Sequence, residues 1–251
     1  MYQDLHSHTY YSFCGRDDPE ELVKTAIDGG IEMLGITDHS YGIGFARPEI
    51  YRSPFAEEFA SSYGNNLEKY FGHMSLLRDK YGDRIDIKIG VEVCTLANDR
   101  ELCHAMPVDT DISYFDFSLI EHLDSEVSIT GGNLFGYAKH LDTPLVGIAH
   151  TDMFAFIARR GKDPLDYFRR MAENGIFWEM NVNYDSIHGF KEHPYMLEFF
   201  SNPYQQEIVA ESGVRVSVGF DSHRLEDYLP GRIKYYCDRL ESLGIKKPYE
   251  D

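Results

Sequence analysis

The stretch HSHTYYSFCG, residues 6–15, decides how the rest of the chain is read. Two histidines, His6 and His8, stand one residue apart after a short strand-like run at 3–5, and Cys14 follows six positions after the second. Side chains on a strand repeat every two residues, so His6 and His8 project to one side of a strand end. Taken alone the pair is a weak signal, because a strand-end histidine is commonly a satisfied polar residue or a loop cap. Its meaning depends on what stands at the ends of the other strands.

Short apolar, often β-branched runs occur at 3–5, 33–36, 85–93, 115–120, 145–149, 176–181 and 214–219. They read as buried parallel strands. Helical stretches lie between them, at 19–28, 67–81, 134–140, 164–174, 203–212 and 231–242. The first carries Asp18 as a cap, Pro19 at its first position and Gly29-Gly30 as its stop. Alternating strand and helix predict an α/β chain with a parallel sheet or closed barrel. The segment 40–67, aromatic and rich in Pro and Gly, reads as an elaborated loop of the kind that covers an active site.

On this map six of the eleven histidines fall at strand ends: His6, His8, His39, His122, His150 and His223. Glu92 and Asp221 fall there too. In parallel α/β folds the C-terminal strand ends form one face, and that face carries the chemistry. Glu92 alone could be an ion-pair partner and Asp221 alone a helix cap, but the joint placement has no common packing explanation. So many imidazole and carboxylate groups exceed the needs of one ion, so two or three divalent metals are expected. Mixed nitrogen and oxygen donors suit zinc, manganese or iron. The remaining histidines, His73, His104, His140, His188 and His193, read as surface or core residues.

The chain has 251 residues, 43% hydrophobic and 26% charged, enough for one substantial domain over 1–251. Its net charge of −18 repels nucleic-acid backbones and anionic membranes, so neither is expected as a partner. MYQDLHSH shows no basic region leading into an apolar stretch, and no apolar run reaches bilayer length. The four cysteines show no C-x-x-C spacing. Reduced thiols in a cytoplasmic protein are the simpler reading.

The ordered motifs resemble those of the PHP (polymerase and histidinol phosphatase) superfamily of metal-dependent phosphoesterases. DLHSHTYYSFCG is similar to its first motif, H-x-H followed by a Ser-x-Asp-Gly turn, ITDHS to the second, GIAHTD to the third and GFDSHR to the fourth. Glu92 in GVEV and His122 in IEH stand where that family has intervening ligands. The resemblance implies a distorted seven-stranded (β/α)7 barrel with up to three metals at its C-terminal mouth. The ligands it implies are His6, His8, His39, Glu92, His122, His150, Asp221 and His223, with Glu92 bridging and Asp38 orienting a ligand from behind. Length and the long second loop point to the histidinol-phosphatase-like branch rather than the DNA-polymerase branch. Cys14 stands where relatives offer Asp or His. It reads either as a thiolate ligand or as a small buried turn residue, with Asp17 or Asp18 supplying oxygen nearby.

The activity implied is hydrolysis of a small phosphomonoester by a metal-activated water. Glu92, Asp221 and His223 are the candidate catalytic residues, Asp221 as a proton donor to the leaving oxygen. Arg224, Arg159 and Arg160 are candidates for gripping the phosphate through their planar fork, although RRGK also reads as a solvated charge cluster. Glu179 or Asn181 could reach the substrate, and Trp178 beside them could equally be core. Two other readings fit part of the pattern. One is a metal hydrolase of phosphodiesters or amides on a similar barrel, although the strand-end lysine usual in amidohydrolases is missing. The other is a metal-binding module without catalysis.

Overall fold

The computed structural model describes residues 1–45, 63–97, 105–184 and 191–250. Strands β1 (Gln3–Asp4), β2 (Met33–Ile36), β3 (Asp86–Cys94), β4 (Phe117–Glu121), β5 (Val146–Ile148), β6 (Ile176–Asn181) and β7 (Val216–Gly219) pair side by side in sequence order, all parallel. The first and last strands also meet. The Leu5 amide donates to the Val218 carbonyl at 3.0 Å, the His8 amide to Ser222 at 2.8 Å, and Ser7 bridges Ser222 in parallel. Asp4 reinforces this seam by accepting the Phe220 amide at 2.9 Å. The result is a nearly closed seven-stranded barrel, the fold class expected.

The described helices are α1 (Pro19–Asp28), α2 (Ser40–Phe45), α3 (Tyr63–Tyr81), α4 (Leu134–Leu141), α5 (Met153–Arg159), α6 (Pro164–Glu173), α7 (Pro194–Ser201), α8 (Pro203–Ser212) and α9 (Pro230–Ser242). Several begin where local chemistry dictates. Asp18, Asp163 and Asn202 each accept an amide of the following first turn, and each precedes a proline. Helices α5 and α7 were not expected from the sequence. Both are short, and although α7 buries Tyr195, Met196, Phe199 and Phe200 on one face, its exposed face carries Leu197, so its few residues read as an apolar run rather than a helical period. Part of the expected loop at 40–67 is helical, as α2 and the start of α3; its residues 46–62, like Cys103, His104 and His188, lie outside the described residues. Among the described residues no helix is long and apolar enough to cross a membrane.

Each strand is buried on both faces, which is why its sequence lacks clean alternation. Outward residues such as Ile89, Val91, Val93, Trp178 and Met180 pack beneath the helices. Inward residues Leu5, Met33, Phe117, Leu119, Ala149 and Phe177 fill the lumen. The lumen is tight: a Cβ on Gly147 would lie 2.4 Å from the Phe177 ring and 2.5 Å from Leu119. Period two then carries the inward face of β3 from Gly90 to Glu92 and Cys94, of β4 from Leu119 to Glu121, and of β6 from Phe177 to Glu179 and Asn181. An apolar plug below and a polar mouth above follow from that one register.

Candidate metal centre

His6 and His8 leave β1 at the seam and turn inward with both rings fully or almost fully buried. Their Nε2 atoms lie 3.0 Å apart. On the far side, His6 Nδ1 sits 2.7 Å from Glu179 Oε1, a geometry that places a proton on Nδ1. His8 Nδ1 lies 3.1 Å from Ser12 Oγ, and Ser12 gives its own hydrogen to Asp38 at 2.6 Å, so Nδ1 of His8 must be the donor. Both Nε2 lone pairs therefore face each other, with Asp221 Oδ1 at 3.5 and 3.0 Å from them. Two lone pairs at that distance need a cation or a proton between them. Without a metal, the charge falls on His6. Burial opposes it, but Glu179, Glu92 and Asp221 outweigh burial and hold its pKa well above the ordinary value. His8 is pushed down to about 3 by burial and by the charges of His39 and His223.

Asp38 is the hub of the first turn. Its carboxylate accepts the Thr9 amide and hydroxyl, both at 2.7 Å, and the Ser12 amide at 2.9 Å as well as the Ser12 hydroxyl. Ser12 Oγ also accepts the His39 amide at 2.9 Å. Asp38 thus orients His8 through Ser12 rather than by direct contact.

Glu92 stands in the middle. Its Oε1 lies 3.3 Å from His6 Nε2 and 3.2 Å from His150 Nε2, and its Oε2 lies 2.8 Å from His39 Nδ1 and 3.4 Å from His8 Nε2. Burial raises its pKa, yet His6 and His39 overcome that and hold it well below the carboxylate range. Asp221 is likewise kept ionised against burial by His6 and His223. Although His39 Nδ1 and Glu92 Oε2 are close, neither makes a hydrogen bond of acceptable direction. Asp221 Oδ1 and Glu121 Oε2 are also buried without a hydrogen-bond partner among the described residues. Orphaned atoms that converge without aligning on each other are the arrangement of ligands about a shared ion, and the donor set fits divalent metals.

Cys14 joins this group. Its sulfur, His8, His39 and His223 offer ligand atoms all within 4.8 Å of one another, and His6, His8 and Asp221 form a second such set. His223 donates Nδ1 to the Asp221 carbonyl at 2.9 Å, which leaves Nε2 for the cluster. Burial raises the Cys14 thiol, but His39 and His223 lower it on balance. Asp17 and Asp18 are engaged elsewhere: Asp17 accepts the Leu225 amide at 2.7 Å and Asp18 caps α1. His122, His150 and Asp221 all have left-handed backbones, with φ of 60°, 26° and 55°. Non-glycine residues rarely adopt this conformation, and here it occurs at the ends of β4, β5 and β7.

The three arginines have local partners. Arg224 lies 3.4 Å from Glu226, Arg159 lies 3.4 Å from Asp124, and the Arg160 guanidinium sits 3.5 Å over the Phe156 ring. Trp178 is core, donating Nε1 to the Thr151 carbonyl at 2.9 Å. The mouth holds residues that sequence reasoning had placed elsewhere or passed over. His193 stacks on His150 with centroids 6.0 Å apart and on Tyr184 at 4.0 Å. Glu121 makes a third compact set with His39 and Glu92, and a fourth with Cys94 and His122. The signal for Glu121 and Cys94 was the inward period of β3 and β4 once Glu92 was fixed as inward. Glu179, expected as a residue that could reach the substrate, faces His6 Nδ1 and the His150 amide instead, carried there by the same period in β6.

The sequence profile described as PHP domain matches residues 4–212. A solved structure of histidinol phosphate phosphatase from Lactococcus lactis, complexed with zinc, L-histidinol and phosphate, is 15% identical, with 98% of this chain and 95% of that chain covered and a TM-score of 0.54. The hisK protein of Listeria monocytogenes is 18% identical over 93% of this chain and 99% of that one, with a TM-score of 0.52. At these identities the likeness speaks for the fold. An error-prone DNA polymerase of Nocardia farcinica is 45% identical over 47 residues, which cover 18% of this chain and 4% of the polymerase.

Proposed function

The chain belongs to the PHP domain family, and from that premise we propose that it is a metal-dependent phosphoesterase acting on a small phosphomonoester of the histidinol phosphate kind. The observation that carries the reading is the pair of buried Nε2 lone pairs of His6 and His8, 3.0 Å apart and ringed by orphaned carboxylate oxygens. In this reading His6, His8 and Asp221 would hold one cation through their free donor atoms, and Cys14, His39 and His223 would hold another. Glu92, close to both groups, would serve both. His122 and His150 extend the centre towards a third position. A thiolate among the donors favours zinc or iron over manganese. Bound divalent cations would activate a water nucleophile and neutralise phosphoryl charge.

The chain's own groups then have defined tasks. Glu179 and Ser12 keep the proton on Nδ1 of His6 and His8, so that Nε2 faces the cluster. An ionised Asp221 can ligate a cation or accept a proton from the attacking water; to donate one to the leaving oxygen it would first have to gain it. Arg224 adjoins His223 at the rim and its partner Glu226 is exposed, so it is the first choice for a phosphate contact. Arg160 is held on Phe156, and Arg159, paired with Asp124 as Arg224 is with Glu226, adjoins no candidate ligand in sequence, which makes them weaker choices. His193 and Tyr184, stacked beside His150, offer an aromatic wall to the organic part of a substrate. We treat residues 1–251 as one domain, because α9 returns to the barrel floor, where Cys237 Sγ donates to the Gln3 carbonyl. Reduced Cys14 and Cys94 are compatible with the cytoplasm.

The test is a panel of phosphomonoesters including histidinol phosphate, set against phosphodiesters and cyclic amides, with protein purified without chelators and its metals counted by elemental analysis. Turnover of monoesters at two or three metals per chain is expected. Turnover of amides alone, or no turnover at full metal occupancy, would defeat the reading.

A further inference from the structure

Beside the group centred on His6 and His8 stands a set of three residues of which the family resemblance names only His122. Cys94 and Glu121 are direct partners across the β3–β4 ladder, so their side chains lie next to each other on the inward face. His122 follows Glu121 in a left-handed turn and sets its Nε2 2.9 Å from Glu121 Oε1. The ligand atoms of Cys94, Glu121 and His122 all lie within 4.8 Å of one another. Cys94 is fully buried and Glu121 is 7% exposed. The second oxygen of Glu121 is buried with no hydrogen-bond partner among the described residues and lies 3.7 Å from His39 Nδ1. A buried, orphaned carboxylate oxygen is costly unless something else satisfies it. Glu121 also completes the set formed with His39 and Glu92, so its two oxygens face two neighbouring groups of ligands.

We propose that Cys94, Glu121 and His122 form a thiolate-containing metal position, with Glu121 linking it to the cation held near His39 and Glu92. This rests on the reading above, in which His122 is a metal ligand, and adds two donors to it. Sulfur, carboxylate and imidazole are a three-donor set of the kind that suits zinc or another thiophilic divalent ion. With Cys14 on one side and Cys94 on the other, the centre is flanked by sulfur at both edges. The consequence is a stronger preference for zinc over manganese or magnesium than an all-nitrogen and oxygen centre would have.

The experiment strips the full chain with chelator and reloads it with Co²⁺, reading sulfur-to-cobalt charge-transfer absorption and bound cobalt per chain. Compared are the parent, Cys14→Ser, Cys94→Ser, the Cys14→Ser/Cys94→Ser double variant and Glu121→Gln, with circular dichroism to verify folding and Cys94→Ala as a second variant if serine disturbs the buried position. The absorption should survive in Cys14→Ser and vanish in the double variant. Cys94→Ser and Glu121→Gln should each lose about one equivalent of cobalt, as expected for removal of one donor from a three-ligand site. Loss of all sulfur-to-cobalt absorption in folded Cys14→Ser would overturn the proposal, as would its persistence in the double variant or a full cobalt complement in folded Cys94 and Glu121 variants. If those results overturn it while the parent hydrolyses phosphomonoesters, the functional reading stands alone. If the thiolate signals behave as expected while no phosphoester is cleaved, the metal position stands and the functional reading fails.

Discussion

Glu179 binds two strand ends at once: its Oε1 lies 2.7 Å from His6 Nδ1, and its Oε2 accepts the His150 amide at 2.7 Å. One carboxylate on β6 therefore sets the tautomer of a ligand candidate after β1 and the backbone of another after β5. Glu179→Gln keeps the shape and removes the charge. Metal affinity measured by chelator competition should fall about 10- to 100-fold, as for other carboxylates behind metal-bound histidines. Unchanged affinity would show that Glu179 is only packing.

His6→Ala removes the residue at which Glu92, Asp221, His8 and Glu179 converge. Metal content by elemental analysis and phosphomonoester hydrolysis should be lost together, the latter by at least about 100-fold. Prolonged chelation of the parent should do the same, with recovery on adding zinc. Full activity in the metal-poor variant would sink the assignment.

Asp38→Ala strands the amides and hydroxyls of Thr9 and Ser12, all of them buried. A cost on the order of 3 kcal/mol is expected from several unsatisfied donors, part of it relieved by water. Urea unfolding in chelator isolates this from metal binding. Ser12→Ala should be milder and should shift His8 towards the wrong tautomer, visible in its imidazole NMR signals.

Asp4 lies at the seam and is raised from 3.8 to about 6 by burial, against the donors Phe220, His6, Tyr228 and Ser7. The folded state holds this proton more tightly than the unfolded one. Asp4 therefore disfavours folding increasingly as pH rises from 3.8 to about 6. The stability of the parent relative to Asp4→Asn should fall across that window, by up to roughly 3 kcal/mol. Denaturant titrations of both proteins in chelator at pH 4, 5, 6 and 7 test it, and a flat difference would contradict it.

Gly147→Ala places a methyl 2.4 Å from the Phe177 ring inside the lumen. Overpacking of this kind costs about 1–3 kcal/mol. Phe177→Leu in the same chain should recover part of the loss in urea melts, because it returns the space. A neutral single substitution would mean that the lumen is looser than its contacts indicate.

Much of this was legible in the residue order. Strand β2, strand β6, helix α1 and helix α8 fall where period, prolines and caps put them, because those signals are local. Helices α5 and α7 were not legible: one is too short and the other too apolar to display a helical period. The residue order alone puts eight imidazole and carboxylate groups at one face, because a parallel α/β order forces successive strand ends to one side.

The linear chain indicated the candidate donor groups and the face on which they stand, through two-residue periodicity and βα alternation. It left open which neighbours each ligand would meet. That required the seam between β1 and β7, the left-handed turns at His122, His150 and Asp221, and the Cys94–Glu121 pairing across β3 and β4. These depend on contacts between residues far apart in sequence. Glu179 meets His6 from 173 positions away, and Asp17 is taken by Leu225 while Cys14 turns to His39 and His223. Barrel closure selects such pairs by distance and burial, and no local period encodes them.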